Sequence, residues 1–161
     1  MKTVSKTLLA VYLLILLWLV LFKFSLDFAA ILDHQARSLN LIPFATYSSG
    51  NLSEMLYNLV VFIPFGLLLG VNLKQTNFWE KLSYIYFFSF AAELTQFIVA
   101  IGTTDTTDII MNTAGGFLGL VLYGLSKYVD SEKLDRFIVV AGTILLTVLV
   151  LFRLLFLRVR Y

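Results

Sequence analysis

Long apolar runs separated by short polar intervals make up most of the chain. The pattern predicts helices over 7–24, 54–73, 82–101, 108–127 and 137–157. About 20 predominantly apolar residues in a helix cross the hydrocarbon core of a bilayer. Pro64, inside the second run, predicts a kink there. We therefore predict an all-α polytopic integral membrane protein, with about five transmembrane helices in a small bundle and residues 1–161 as a single domain.

The polar intervals predict how these helices are connected. Lys2 and Lys6 precede the first run as they would in a signal peptide. We interpret 7–24 as a retained helix, because the run is longer than a signal segment and no small-residue cleavage site follows it. We expect 25–53 to lie along the membrane surface, with a short amphipathic helix over 27–37 and a turn over 47–51. Shorter loops are predicted at 74–81, 102–107 and 128–136.

Composition excludes several classes of protein. Hydrophobic residues make up 60% of the chain and charged residues 14%, which is far from an ordinary soluble domain. The net charge of +2 is scattered along the chain, so we expect no nucleic-acid partner. The chain has no cysteine, which excludes disulfides and thiolate metal sites. His34, the one histidine, suits a solvated or interfacial position and suggests no Ser-His-Asp triad.

The distribution of basic residues predicts the orientation in the membrane. Lys and Arg are enriched in cytoplasmic loops. An N-terminus inside the cell leaves Lys23, Arg37 and the tail residues Arg158 and Arg160 outside, and the tail opposes this orientation. The inner segments would hold Lys2, Lys6, Lys74, Lys81, Lys127, Lys133 and Arg136. We therefore predict a multi-pass membrane protein with a cytoplasmic N-terminus, and with 40–44 and 102–107 outside.

A layer of polar side chains is predicted at one depth in the apolar helices. At a rise of 1.5 Å per residue, the polar residues inside the helices lie about 6 to 12 Å below the outer helix ends. They are Asn58, Glu93, Gln96 and Asn112. Glu93 and Gln96 share one helix face, as do Asp108 and Asn112. The short turn at 102–107 makes the third and fourth helices antiparallel neighbours. We predict a ligand-binding site made by Asn58, Glu93, Gln96, Asp105, Asp108 and Asn112.

Each of these residues also has a purely structural interpretation. Asp105 and Asp108 suit the cap and first turn of a helix. Asn58, Gln96 and Asn112 suit hydrogen bonds between helices. Glu93 is compatible with a buried carboxyl group that stabilises the packing of the helices. Carboxylates with amide oxygens also suit Ca²⁺ or Mg²⁺, but we predict no metal site and no cofactor.

Two pairs of glycines predict close helix packing. Gly66 and Gly70, like Gly115 and Gly119, are four residues apart, and such pairs let a neighbouring helix approach. The neighbour is either a helix of the same chain or that of a second copy, so a homo-oligomer through these faces is one prediction.

Four motifs, in this order, resemble the VanZ-like family: NLIPF at 40–44, NxxxFIPFG at 58–66, ELTQ at 93–96 and DxxDIIMNTAGG at 105–116. The resemblance covers about 37–125. It implies a bacterial membrane protein of a family whose founding member is linked to resistance to teicoplanin and related lipoglycopeptides, with no agreed mechanism. Many members carry an arginine just before the acidic turn, where this chain has Gly102, Thr103 and Thr104. An anion site built on that arginine is therefore in doubt here.

Three functions are compatible with these observations. The first is a VanZ-like envelope protein that lowers susceptibility to lipoglycopeptides through an outward-facing polar site. The second is an intramembrane enzyme acting on a lipid headgroup or polyprenyl phosphate, with Glu93, Asp105 and Asp108 as the candidate catalytic residues. The third is a small lipid transporter. The expected partners are membrane lipids, together with a lipid-linked envelope precursor or a lipoglycopeptide.

Overall fold

The described part of the chain forms five helices and two short strands. The computed structural model describes residues 2–22, 38–44, 49–100, 103–125 and 131–159. The elements are α1 (Lys2–Phe22), β1 (Ser38–Asn40), α2 (Ser49–Asn72), α3 (Phe78–Val99), β2 (Thr103–Asp105), α4 (Thr106–Leu125) and α5 (Ser131–Val159). Within the described residues, four segments are long and apolar enough to cross a membrane: Lys2–Phe22, Leu52–Asn72, Phe78–Val99 and Thr106–Leu125. The prediction of a membrane protein built as a small helical bundle is confirmed.

All five described helices begin earlier than the apolar pattern predicts. α2 begins at Ser49, inside the predicted turn at 47–51, and α5 begins at Ser131, inside the predicted loop at 128–136. α3 begins at Phe78, where the Asn77 side chain accepts a hydrogen bond from the Glu80 amide at 2.8 Å. Hydrophobicity marks where a helix enters lipid, whereas capping marks where its hydrogen bonds begin. Pro64 lies inside α2 without ending it, and the predicted helix at 27–37 lies outside the described residues.

A pair of parallel strands joins two distant parts of the chain, and the apolar pattern gives no sign of it. β1 pairs with β2, with Ser38 opposite Thr103 and Asn40 opposite Asp105. β2 leads directly into α4, and β1 precedes α2. We call the end of the bundle that carries these strands the strand end. α2 and α4 begin there and run parallel, and α1 and α3 finish there.

The glycine faces of α2 and α4 pack directly against each other. A Cβ atom added at Gly66, Gly115 or Gly119 would clash with a backbone carbonyl oxygen of the facing helix. This confirms that the glycines allow close approach. Because Gly66, Gly115 and Gly119 are buried against the other helix of the same chain, these faces are not available to a second copy. A homo-oligomer therefore stays a prediction, and it would need another face of the bundle.

The opposite end of the bundle, where α1 and α5 begin, is held by polar contacts. We call it the basic end. The Tyr123 hydroxyl donates to Asp135 at 3.0 Å, and Lys74 forms an ion pair with the same carboxylate. The Ser5 hydroxyl donates to the Asn72 side chain at 2.8 Å. Asp135 therefore joins α5 to α4 and to the loop after α2.

Candidate functional site

The facing surfaces of α3 and α4 bring the predicted polar residues together. Asn112 donates from Nδ2 to the Ser89 hydroxyl oxygen at 2.9 Å. One turn deeper, the Ile85 side chain lies where a Cβ at Gly116 would be. Because α3 and α4 are antiparallel, one turn towards the strand end brings Glu93 on α3 level with Asp108 on α4. Their exposed fractions are only 1% and 4%, so two carboxyl groups lie at one level inside the bundle.

The strand β2 holds Glu93 in place. The Asp105 backbone amide donates to Oε2 of Glu93 at 3.1 Å. The Thr104 hydroxyl donates to the Glu93 backbone carbonyl at 3.2 Å. Two buried carboxyl groups at one level repel each other when both are ionised, because the interior has a low dielectric constant. Carboxyl groups in this arrangement therefore need hydrogen-bond donors or positive charge beside them.

Asp105 has a structural role at the start of α4. Its Oδ1 accepts from the Thr107 amide at 2.7 Å, and its Oδ2 accepts from the Asn40 side chain at 3.0 Å. The first bond satisfies an amide in the first turn of α4, as a helix cap does. The second joins the two strands through their side chains. Asp105 is half-buried and lies at the outer edge of the predicted layer.

The segment 40–44 is hydrogen-bonded to the start of α4. The Thr106 hydroxyl donates to the Asn40 carbonyl at 3.2 Å, and the Phe44 amide donates to the Thr107 hydroxyl at 3.1 Å. Phe44 has a positive φ of 59°, which is uncommon for a bulky residue. Leu41 and Ile42 are exposed. The strand end therefore combines a polar interior with an apolar outer rim.

Gln96 connects the layer to α1. Its Nε2 donates to the backbone carbonyls of Val20 at 2.9 Å and Leu21 at 3.3 Å, in the last turn of α1. Its Oε1 is buried and has no hydrogen-bond donor within the described part of the chain, and the same holds for Oδ1 of Asn112. Buried oxygens without a donor are uncommon and call for an explanation.

Asn58 forms part of the wall contributed by α2. It is buried, with an exposed fraction of 3%. The next residue, Leu59, packs against Gly115 of α4, so Asn58 lies within about one helical turn of the level of Asn112. All six predicted residues thus lie in the half of the bundle nearest the strands.

Sequence reasoning missed four residues that support the layer. Ser89 binds Asn112, Asn40 binds Asp105, Thr104 binds the Glu93 carbonyl, and Thr107 binds Phe44. Ser89 lies four residues before Glu93, and that spacing placed it on the same helix face. Nothing in the spacing of Asn40 indicated its partner. Among the described residues, no group of three or more His, Cys, Asp or Glu side chains is arranged to hold a metal ion, and His34 lies outside those residues.

Comparison with known proteins identifies the family. The family model for VanZ/LLP1 matches residues 9–127. The chain belongs to the VanZ/LLP1 family. Protein VanZ of Enterococcus faecium is 49% identical over 161 residues, which cover 99% of this chain and 98% of that protein. No solved structure matches the chain.

The match places the whole polar layer inside the VanZ/LLP1 region. Residues 9–127 include both strands, all of α2, α3 and α4, and most of α1. α5 begins at Ser131, beyond the match. The resemblance inferred from the four motifs is therefore confirmed, and it extends to α1, which the motifs did not cover.

Proposed function

We propose that this VanZ/LLP1 protein lowers the susceptibility of a bacterium to teicoplanin and related lipoglycopeptides. It acts from the plasma membrane, through the polar layer at the strand end. The observation that carries this proposal is the buried set of carboxyl and amide groups between α3 and α4, in a chain 49% identical to Protein VanZ. Membership of the family favours this function over a lipid-modifying enzyme or a lipid transporter.

The charge distribution supports a strand end that faces outward. Lys74 lies in the loop between α2 and α3, at the basic end, and Glu93 and Asp108 lie towards the strand end. Arg153 and Arg158, late in α5, are exceptions on the strand side. The other basic residues at the basic end are Lys2, Lys6, Lys81, Lys133 and Arg136. Because positive loops remain in the cytoplasm, the basic end is the inner one, and α1 begins inside the cell.

The chemistry of the layer supports binding of an envelope ligand. Glu93 accepts a hydrogen bond from β2, and the amides of Asn112 and Gln96 donate to Ser89 and to the end of α1, so these groups are held in place. A preorganised polar site loses little conformational entropy when it binds. A site at the outer end of the bundle lies close to a surface-acting antibiotic or its lipid-linked target, which then need not cross the membrane.

A susceptibility assay tests this function. The chain is expressed in a susceptible Gram-positive host, and the inhibitory concentration of teicoplanin is measured with protein abundance in the membrane. We expect the concentration to rise with the wild-type chain and to fall back towards that of the empty vector with Glu93→Gln, which replaces the carboxyl group by an amide of the same size.

Glu80→Gln is the matched control. Glu80 lies on the same helix but at the basic end, and it is exposed. The Glu80→Gln variant should leave the inhibitory concentration of teicoplanin at the wild-type value. Wild-type protein that is abundant in the membrane yet leaves teicoplanin susceptibility unchanged would contradict the proposed function.

A further inference from the structure

The polar layer is closed in this structure. Glu93, Gln96, Asp108 and Asn112 have exposed fractions of 1%, 1%, 4% and 0%. A ligand that acts through these groups therefore reaches them only after some part of the protein moves. The elements around the layer differ in how firmly they are held, and this difference indicates which of them moves.

Close helix packing closes the sides of the layer. A Cβ atom at Gly119 of α4 would meet the backbone of α2, and one at Gly116 would meet the Ile85 side chain of α3. Asn112 donates to Ser89, which joins α4 to α3 at the level of the layer. Parting these helices loses close van der Waals contacts along their length, and these contacts are what holds helices together in a membrane.

The strand end of the layer is covered by a strap, which we define as residues 38–44: β1 and the segment that follows it. The strap pairs with β2 and is hydrogen-bonded to the first turn of α4, where the Phe44 amide donates to the Thr107 hydroxyl. Thr107 is buried, with an exposed fraction of 5%, and Asp108 follows it in the chain. The strap therefore covers the turn of α4 that carries Asp108.

Hydrogen bonds hold the strap, whereas its apolar side chains are not buried. The exposed fractions of Leu39, Leu41, Ile42 and Phe44 lie between 42% and 69%. β1 and β2 have three residues each, and so short a strand pair is marginally stable by itself. Phe44 is in the left-handed conformation, with φ of 59°, which is unfavourable for a residue with a Cβ atom. Segments with few buried apolar contacts open locally at low cost in free energy.

We propose that the strap opens to admit a ligand to the polar layer from the strand end. The Asn40 side chain donates to Oδ2 of Asp105 at 3.0 Å, and we call this bond the latch. Breaking the latch and the bond from Phe44 to Thr107 uncovers the first turn of α4 and leaves the helix bundle intact. Entry between the helices would instead require α2, α3 and α4 to part. The inference rests on the proposed function, because it gives the route by which a ligand reaches the same layer.

Accessibility of an introduced cysteine tests the inference. The chain has no cysteine, and Ser89 is completely buried in the layer, so Ser89→Cys reports access to the layer with little change in size. A small water-soluble methanethiosulfonate is added to the full-length protein, and its rate of reaction is measured. Addition of Asn40→Ala, which removes the latch, should raise this rate about tenfold, as the loss of one hydrogen bond to a carboxylate implies.

Asn72→Ala in the same Ser89→Cys background is the matched control. The Asn72 side chain donates to the carbonyl oxygens of Ser5 and Leu68 at the basic end, so its removal loosens the bundle away from the strap. This variant should react at the rate of Ser89→Cys alone. An equal rise in both variants would show that general loosening admits the reagent. That result, or an unchanged rate with Asn40→Ala, would overturn the inference.

A disulfide between the two strands gives a second measurement, which does not depend on the folding of Ser89→Cys. Leu39 lies opposite Thr104 in the parallel pair, and the spacing of neighbouring strands, about 4.8 Å, is within the Cα range of a disulfide. Hydrogen exchange of residues 103–108 is compared between the oxidised and reduced forms of Leu39→Cys/Thr104→Cys. Oxidation should slow exchange at least tenfold, because it holds the strap closed. Cysteines that do not cross-link, or equal exchange in the two forms, would overturn the inference.

Both measurements are made without teicoplanin, so their failure is distinguishable from a failure of the proposed function. A strap that opens in a protein without effect on susceptibility contradicts the proposed function alone. A strap that stays closed in a protein that lowers susceptibility contradicts the inference alone.

Discussion

Ser89 determines the position of Asn112, although it lies outside the predicted set of site residues. It is completely buried and accepts from Nδ2 of Asn112. Ser89→Ala leaves that amide nitrogen buried without an acceptor, which costs about 1 to 3 kcal/mol of the free energy of unfolding.

Thermal unfolding in a mild detergent measures this effect. Ser83→Ala is the control, because Ser83 lies on the same helix and its hydroxyl donates to the Glu80 carbonyl of that helix. That variant should change the free energy of unfolding by less than about 0.5 kcal/mol. Equal unfolding temperatures for the two variants would show that the bond to Ser89 contributes nothing.

Ala100 occupies a backbone conformation that favours glycine. It ends α3 with φ of 57° and ψ of 39°, and its amide donates to the Gln96 carbonyl. The left-handed conformation is unfavourable for residues with a Cβ atom. Ala100→Gly should therefore raise the unfolding temperature, with a gain of up to about 1 kcal/mol.

The same substitution in the middle of the helix should have the opposite sign. Ala91 is exposed and lies inside α3, and glycine in a helix interior costs about 1 kcal/mol. Unfolding of Ala100→Gly and Ala91→Gly in parallel checks both signs. Destabilisation of similar size in both variants would contradict the role assigned to residue 100.

At the level of the elements, the contact between α2 and α4 depends on glycines, which have no side chain to keep the helices apart. A Cβ at Gly119 would clash with the Ile63 carbonyl oxygen, whereas nothing lies within 4 Å of a Cβ at Gly124 on the same helix. Backbone cannot move aside as a flexible side chain can. Gly119→Ala should therefore destabilise the protein by about 1 to 3 kcal/mol.

Gly124→Ala should be neutral or stabilising, because alanine has the higher helix propensity and meets no neighbour there. Unfolding temperatures of the two variants, measured together, test the packing of α2 on α4. If Gly119→Ala unfolds at the wild-type temperature, the two helices are not as close as the structure places them.

At the level of the whole molecule, the orientation in the membrane is open to a direct test. The chain has no cysteine, so a single introduced cysteine reports one position. Leu41 lies at the strand end and Gln75 lies in the loop at the basic end, and both residues are exposed. The variants Leu41→Cys and Gln75→Cys therefore report the two ends of the bundle.

A membrane-impermeant maleimide applied to intact cells should label Leu41→Cys, and it should label Gln75→Cys only after permeabilisation. This result follows from the concentration of basic residues at the basic end. The reverse pattern would place the polar layer at the cytoplasmic face and contradict its access to an external antibiotic.

The six predicted site residues show how far sequence reasoning reached. Helical spacing and depth placed Glu93, Gln96, Asp108 and Asn112 on facing surfaces, because both follow from a regular 1.5 Å rise and a 3.6-residue period. Asp105 was predicted as a site residue or a cap, and it caps α4 from the edge of the layer. The residues that orient the layer, such as Ser89, were not found, because a serine in a helix carries no signal of its partner.

The sequence by itself determined the apolar helices, their order and the helix faces that carry the polar groups. These depend on hydrophobicity and period, which are local properties of a segment. The tertiary structure decided which faces meet. Asn112 and Ser89 are 23 residues apart, and Asn40 and Asp105 are 65 apart. Such contacts depend on how the helices pack, because packing selects one arrangement among many that satisfy the same pattern.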